Sequence, residues 1–304
     1  MLVFAMSDKG GTGRSVTGCN LAYRRALNGT DVCYVDFDFG SPTAGAIFEV
    51  TSASTGTQRG GVHSLLQGRV TDPVRVNVWA ETERKDLKAR PVNAGELVLF
   101  PGDSGGGEFP MNQEVVGRCT DLFRKLEEEF EISFIDLSAG RSHAIEAVLE
   151  VTGRAELRKT VTRWMVFHRW TRQHIMAAAD LVFGERGLVK TGIGYGHDAG
   201  KLRDSIRFVR TAVHDPGSPE LSQLRSAQLQ WLLAADQSLN RLATRFGLGR
   251  SAVLGETPMD HVLQWQEQLI SDQDTTIAIA NSETVDAFKE LARRLTDDAA
   301  WEGL

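Results

Sequence analysis

The chain has 304 residues, of which 41% are hydrophobic and 24% charged, and these ordinary values exclude a disordered or fibrous protein. Its formal net charge of -6 gives no overall attraction to nucleic-acid phosphates or anionic lipid, so we expect neither as a partner. The three cysteines Cys19, Cys33 and Cys119 are widely spaced without a CxxC pair, which indicates buried thiols in a cytoplasmic protein rather than a disulfide or zinc framework.

The first predicted elements form a βαβ unit. Residues 2–6 are a short apolar run, residues 7–15 are rich in glycine, and residues 16–27 place apolar side chains at helical spacing. Turn residues 28–31 then lead to residues 32–37, which are β-branched and aromatic enough for a buried parallel strand that ends in acids.

Later segments continue the alternation of strands and helices. We predict strands at 96–100, 132–137, 164–167 and 251–254, and helices at 113–130, 173–181, 221–246, 259–270 and 285–295. This rhythm predicts an α/β fold in which one doubly wound, mostly parallel sheet is flanked by helices, as a single domain over residues 1–304.

Two segments rich in small residues are predicted as loop insertions. Residues 44–61 are dominated by Ser, Thr and Gly, and residues 184–200 contain six glycines with little hydrophobic pattern. The second segment could close over a ligand or serve as a plain connector. Four basic residues that follow it are predicted to share one solvated helical face: Lys201, Arg203, Arg207 and Arg210.

The glycine-rich loop is the strongest functional signal. Gly10, Gly11 and Gly13 lack side chains, so backbone N–H groups can approach phosphate oxygens at the positive N-terminus of the following helix. At the start of that helix, the hydroxyl of Ser15 could bind Mg²⁺, and the cation Arg14 could neutralise phosphate charge. The loop therefore predicts a nucleotide polyphosphate site.

The sequence from Ser7 to Ser15 resembles the deviant phosphate loop of the MinD/ParA family, in which a signature lysine precedes two glycines. Lys9 stands at that position. The resemblance continues through Asn20-Leu21-Ala22, Ala26-Leu27, Gly29, Val35-Asp36-Phe37-Asp38 and Pro42-Thr43, with a weaker match at Phe134-Ile135-Asp136-Leu137. Within the family, the chain is similar to an actinobacterial variant branch in which arginine replaces the second lysine of the loop.

The resemblance implies an ATP-binding homodimer that acts as a slow ATPase switch with Mg²⁺ and an unidentified protein partner. It implies that Lys9 reaches the phosphates of the second subunit and that Asp38 positions the attacking water. Ser15 would bind Mg²⁺, and Asp36 and Asp136 would hold the ion through water. The residues implied to contact the nucleotide are Lys9, Gly10, Gly11, Thr12, Gly13, Arg14, Ser15 and Val16.

Arg14 is the main departure from the family pattern and leaves hydrolysis open. A guanidinium is a planar fork whose reach differs from that of an ammonium, so it can favour nucleotide occupancy over transfer. One alternative is therefore a nucleotide-binding or vestigial scaffold for a protein partner, without hydrolysis. A dinucleotide-dependent oxidoreductase is a weaker alternative, because Val16 stands where its fingerprint needs glycine or alanine.

Overall fold

The computed structural model describes residues 1–88, 90–214, 221 and 224–302. Its centre is an eight-stranded sheet. The strands are β1 (Leu2–Met6), β2 (Val32–Phe37), β3 (Val76–Asn77), β4 (Leu97–Phe100), β5 (Ile132–Leu137), β6 (Thr162–Arg169), β7 (Ile206–Val213) and β8 (Val253–Pro258).

The strand order is β3-β4-β2-β5-β1-β6-β7-β8, and only the β3–β4 pair is antiparallel among these neighbours. The doubly wound, mostly parallel sheet predicted from the sequence is therefore confirmed. The carboxyl ends of β1, β2 and β5 lie side by side, and Asp36 on β2 is directly opposite Asp136 on β5. A ligand crevice is expected at this edge, because the connection after β1 runs to β2 on one side, whereas the connection after the neighbouring β5 runs to β6 on the other.

Helices cover both faces of the sheet. The principal ones are α1 (Arg14–Leu27), α2 (Ala44–Ile47), α3 (Val62–Leu66), α4 (Val78–Glu81), α5 (Lys85–Lys88), α6 (Gln113–Glu129), α7 (His143–Gly153), α8 (Arg172–Phe183), α9 (Leu188–Gly194), α10 (Ala199–Asp204), α11 (Ser226–Arg245), α12 (His261–Trp265), α13 (Asp272–Thr276) and α14 (Ser282–Leu295). Side chains of α6, α7 and α8 fill the core on one face, whereas α1 and α14 fill it on the other. No helix among the described residues is long and apolar enough to span a membrane.

The structure differs from the sequence prediction in the two segments rich in small residues. Residues 44–61 contain α2 and a 3-10 helix at Thr51–Ala53, and their side chains Ile47, Phe48 and Val50 are buried. Residues 184–200 contain α9. A Cβ on Gly192 would lie 2.5 Å from Leu202, so glycine here permits close packing rather than flexibility.

The basic residues that were predicted to share one helical face lie on two elements. Lys201 and Arg203 are on α10, but Arg207 and Arg210 are buried on β7. The prediction was wrong because the aliphatic stems of arginine can pack within a strand when its N–H groups find acceptors. Arg207 donates to four backbone carbonyls, including that of Ala300 at 2.9 Å.

Candidate functional site

The glycine-rich loop connects β1 to α1 and presents unpaired backbone donors. None of the eight N–H groups of residues 9–16 donates a hydrogen bond to a residue that the structure describes. Gly11 and Gly13 have φ angles of 68° and 72°, in the left-handed region that glycine adopts without strain. Left-handed residues within a loop turn successive N–H groups into a concave anion-binding nest.

The space above the loop is open. A Cβ added at Gly10 or Gly11 would meet no heavy atom within 4 Å, and both glycines are exposed. On its other side the loop is fixed by Thr211 of β7, whose hydroxyl donates to the carbonyl of Thr12 at 2.6 Å. This contact was not predicted, because Thr211 is distant in the chain and its strand was not recognised in the sequence.

Arg14 is directed at carboxylates. Its Nε lies 2.5 Å from Asp136 Oδ1, and its Nη2 lies 2.8 Å from Asp38 Oδ2. Its side chain is only 7% exposed. Burial by itself lowers the pKa of Arg14, but the charges of Asp136 and Asp38 outweigh burial and raise the pKa above its ordinary value. Arg14 was predicted to neutralise phosphate charge, but here it is paired with Asp38 and Asp136, which were predicted to position water and to hold a metal ion.

Asp136 has a second donor that the sequence analysis missed. The hydroxyl of Tyr34, on the neighbouring strand β2, donates to Asp136 Oδ2 at 2.8 Å. Burial and the charge of Asp136 together raise the pKa of Tyr34 well above its ordinary value, so the phenol keeps its proton. Both oxygens of Asp136 thus accept hydrogen bonds from side chains.

Asp36 is held by backbone donors. Its Oδ1 accepts the N–H of Asp38 at 3.2 Å, and its Oδ2 accepts the N–H of Ala44 at 3.1 Å. Burial, and then the neighbouring charge of Asp136, raise the pKa of Asp36 to about 8. A carboxyl group with this pKa is largely protonated at neutral pH.

Lys9 and Asp8 lie at the rim of the loop. Lys9 is half-buried, and its ammonium forms no ion pair with any described residue. Asp8 is 3.7 Å from Arg141, which also contacts Asp180 at 2.5 Å. Arg141 therefore balances the carboxylate of Asp8, which would otherwise repel an incoming phosphate.

The predicted metal residues do not fit a Mg²⁺ ion in this arrangement. Mg²⁺ requires oxygen ligands at nearly ideal octahedral positions. The carboxylates of Asp36 and Asp136 already accept four hydrogen bonds, and the Oγ of Ser15 faces the Arg14 guanidinium at 3.5 Å. Within the described ranges, no group of three or more His, Cys, Asp or Glu side chains is placed to hold a metal ion.

Comparisons with known proteins identify the fold. No protein-family model matches the chain, and no curated protein matches its sequence. Solved structures do match over nearly the whole chain. The plasmid partition protein of Borrelia burgdorferi bound to AMPPNP has a TM-score of 0.60 and 13% identity, with 97% of this chain and 98% of that chain covered.

Two MinD structures are similar to the same extent. MinD of Pyrococcus horikoshii complexed with Mg-ADP has a TM-score of 0.54 and 14% identity, covering 98% of this chain and 96% of that one. The MinC:MinD complex of Aquifex aeolicus matches with a TM-score of 0.54 and 15% identity, covering 97% and 96% of the two chains. This chain therefore has the P-loop fold of the solved MinD and plasmid partition structures.

Proposed function

We propose that this chain binds the phosphates of ATP at the backbone N–H groups of residues 9–16. The eight N–H groups without an acceptor among the described residues carry the proposal, because they follow one another through the loop and the first turn of α1, where one anion can accept from several of them. The left-handed glycines and the N-terminus of α1 suit an anion at this place. AMPPNP and Mg-ADP in two structures of the same fold support an adenine nucleotide as the ligand.

The bound nucleotide is proposed to turn over slowly or not at all. Asp38, implied by the family resemblance to position the attacking water, has both oxygens engaged, one by Arg14 at 2.8 Å and the other by the N–H of Ser41 at 3.2 Å. Positioning a water would require that Asp38 leave its buried countercharge. This observation favours a scaffold that retains its nucleotide over a switch that hydrolyses it.

Homodimerisation remains part of the proposal. Lys9 is the residue predicted to contact the phosphates of a second subunit. Among the described residues, no carboxylate forms an ion pair with its ammonium and competes with such a contact. Lys9 is half-buried beside exposed Gly10, so its ammonium can reach a second copy that approaches the loop. The protein partner predicted from the family resemblance is a separate proposal, for which MinC in the Aquifex aeolicus complex is a precedent in this fold.

Calorimetric titration of ATP into nucleotide-stripped protein tests the central proposal. The informative variant is Gly11→Asp, which places a carboxylate in the open space above the loop, and the matched control is Gly105→Asp. Both glycines are exposed, have φ angles of 68° and 66°, and would meet no atom within 4 Å of an added Cβ. Backbone strain and added charge are thus equal in the two variants, since Asp tolerates the left-handed region.

We expect micromolar binding by the wild type and by Gly105→Asp, and no heat of binding for Gly11→Asp. Absence of binding by folded wild-type protein would overturn the proposal and leave a vestigial loop. Binding by Gly11→Asp equal to that of the control would place the ligand elsewhere. A parallel assay of phosphate release tests the slow turnover: release at the rate of an active ATPase would contradict the scaffold and favour the switch.

A further inference from the structure

The side chains of Asp36, Asp38 and Asp136 lie together at the C-terminal ends of β2 and β5. They are so buried that, as charged groups, they require a countercharge. Asp36 and Asp136 are 2% and 1% exposed and lie opposite each other in the sheet, and Asp38 is 18% exposed. Buried carboxylates require a countercharge or protonation. Asp36 is held by two backbone N–H groups, whereas Asp38 and Asp136 each contact a guanidinium nitrogen of Arg14.

Arg14 supplies that countercharge from the first turn of α1. Separate nitrogen atoms of its guanidinium contact the two acids, Nε with Asp136 and Nη2 with Asp38. Nη1 also faces the hydroxyl of Ser7 at 3.4 Å, and Nη2 that of Ser15 at 3.5 Å. A planar fork can bridge two acids in this way, whereas a single ammonium presents only one nitrogen.

Every oxygen of the three carboxyl groups accepts a hydrogen bond from the protein. The donors are Arg14 and Tyr34 for Asp136, Arg14 and the N–H of Ser41 for Asp38, and the N–H groups of Asp38 and Ala44 for Asp36. All six contacts are 3.2 Å or shorter. A divalent ion entering this cluster would compete with these donors for the carboxylate oxygens and would meet the positive charge of Arg14.

We propose that Arg14 is the resident cation of this site, so that ATP binds there without a divalent metal ion. The inference rests on the proposed function for its nucleotide and on the acid cluster for its cation. It departs from the sequence expectation that Ser15, Asp36 and Asp136 hold Mg²⁺. The alternative is that Arg14 moves to the phosphates when the nucleotide arrives and frees the acids for a metal.

The first test uses Mn²⁺ alone, without nucleotide, and follows the paramagnetic resonance signal of the free ion. Wild-type protein should leave the signal unchanged at millimolar Mn²⁺, whereas Arg14→Ala should deplete it as freed carboxylates bind the ion. Arg14→Gln is the milder variant, which keeps a hydrogen-bonding side chain but removes the charge. Tyr34→Phe is the control, because it removes a hydrogen bond from Asp136 and leaves Arg14 in place.

The second test compares ATP titrations of wild-type protein in EDTA and in Mg²⁺. We expect dissociation constants within about threefold of each other, whereas a loss of tenfold or more in EDTA would overturn the inference. Mn²⁺ binding by nucleotide-free wild-type protein would overturn it as well. If ATP fails to bind in either buffer, the proposed function fails, and the Mn²⁺ result still decides whether Arg14 excludes a metal. If the Arg14 variants do not fold, the two wild-type measurements decide.

Discussion

Replacement of Arg14 by alanine should destabilise the fold strongly. Asp136 and Asp38, its two partners, are 1% and 18% exposed, so their charges would remain buried without neutralisation. Removing one member of a buried ion pair costs about 3–5 kcal/mol. Counting instead two hydrogen bonds to charged groups, at about 1.5–3 kcal/mol each, gives a similar range. Urea unfolding followed by circular dichroism measures the loss in the free energy of unfolding.

The matched control is Arg24→Ala on the same helix. Arg24 is also buried, but it pairs at 2.8 Å with Asp272, which is 62% exposed and would regain water. Its other contact, to the carbonyl of Ile270 at 2.6 Å, leaves one unpaired acceptor, so we expect a loss of about 1–3 kcal/mol. The loss for Arg14→Ala should exceed this value.

A double-mutant cycle with Asp136→Asn isolates the ion pair. Asn keeps an acceptor for Tyr34 but has no charge, so part of the destabilisation by Arg14→Ala should disappear in this background. We expect a coupling of about 1–3 kcal/mol between Arg14 and Asp136. No coupling, together with a loss no larger than that of Arg24→Ala, would refute the reasoning that Arg14 neutralises the acid cluster.

Three further predictions concern the acid cluster, the loop and α9. Since the pKa of Asp36 rises from 3.8 to about 8 on folding, its ionisation in the unfolded chain should lower stability as pH rises from 4 to 8. The free energy of unfolding of the wild type should fall by about 5 kcal/mol over this range, relative to that of Asp36→Asn. Unfolding titrations of both proteins across the range measure this difference. Thr211→Val, which removes the 2.6 Å hydrogen bond to Thr12, should cost about 1–3 kcal/mol and weaken ATP binding in calorimetry. Gly192→Ala should lower the melting temperature more than Gly194→Ala, which has no atom within 4 Å of its Cβ; equal shifts would contradict tight packing of α9.

The sequence predicted the central strands well because their physical signals are local. The apolar runs of β1, β2 and β5 are bounded by turn residues, and in the structure all their residues are buried. Glycines at fixed positions after β1 predicted in the same way the loop that connects β1 to α1. Such signals depend on a few adjacent residues and need no knowledge of the remaining fold.

Prediction failed where packing between distant segments decides the structure. Composition alone made residues 184–200 look like a loop, yet Gly192 allows α9 to approach Leu202. The strand β7 was not predicted because it contains Arg207 and Arg210, and charged residues normally indicate an exposed helix or loop. Trp231 and Trp265 are large apolar side chains, for which core packing is the ordinary expectation, yet they are 71% and 80% exposed.

The contacts of Arg14 were beyond prediction for a related reason. Its partner Asp136 is 122 positions away, and the resemblance placed the two residues in different roles, one on phosphate and the other on metal. Their pairing depends on the register of β1 with β5, which sets Ala5 opposite Asp136, and on the first turn of α1. Tyr34 was missed because an aromatic residue in a buried strand ordinarily indicates core packing.

The two halves of this site can be separated physically. The proposed anion binding depends on the backbone N–H groups of residues 9–16, which no side-chain substitution at position 14 removes. Turnover depends on a mobile water, a free carboxylate and a cation on the phosphate, and phosphoryl transfer needs them together. In this site Arg14 is the cation, and its ion pair with Asp38 occupies both the cation and the carboxylate. A chain with this arrangement can therefore retain the nucleotide-binding loop of its fold while withholding the groups that hydrolysis requires.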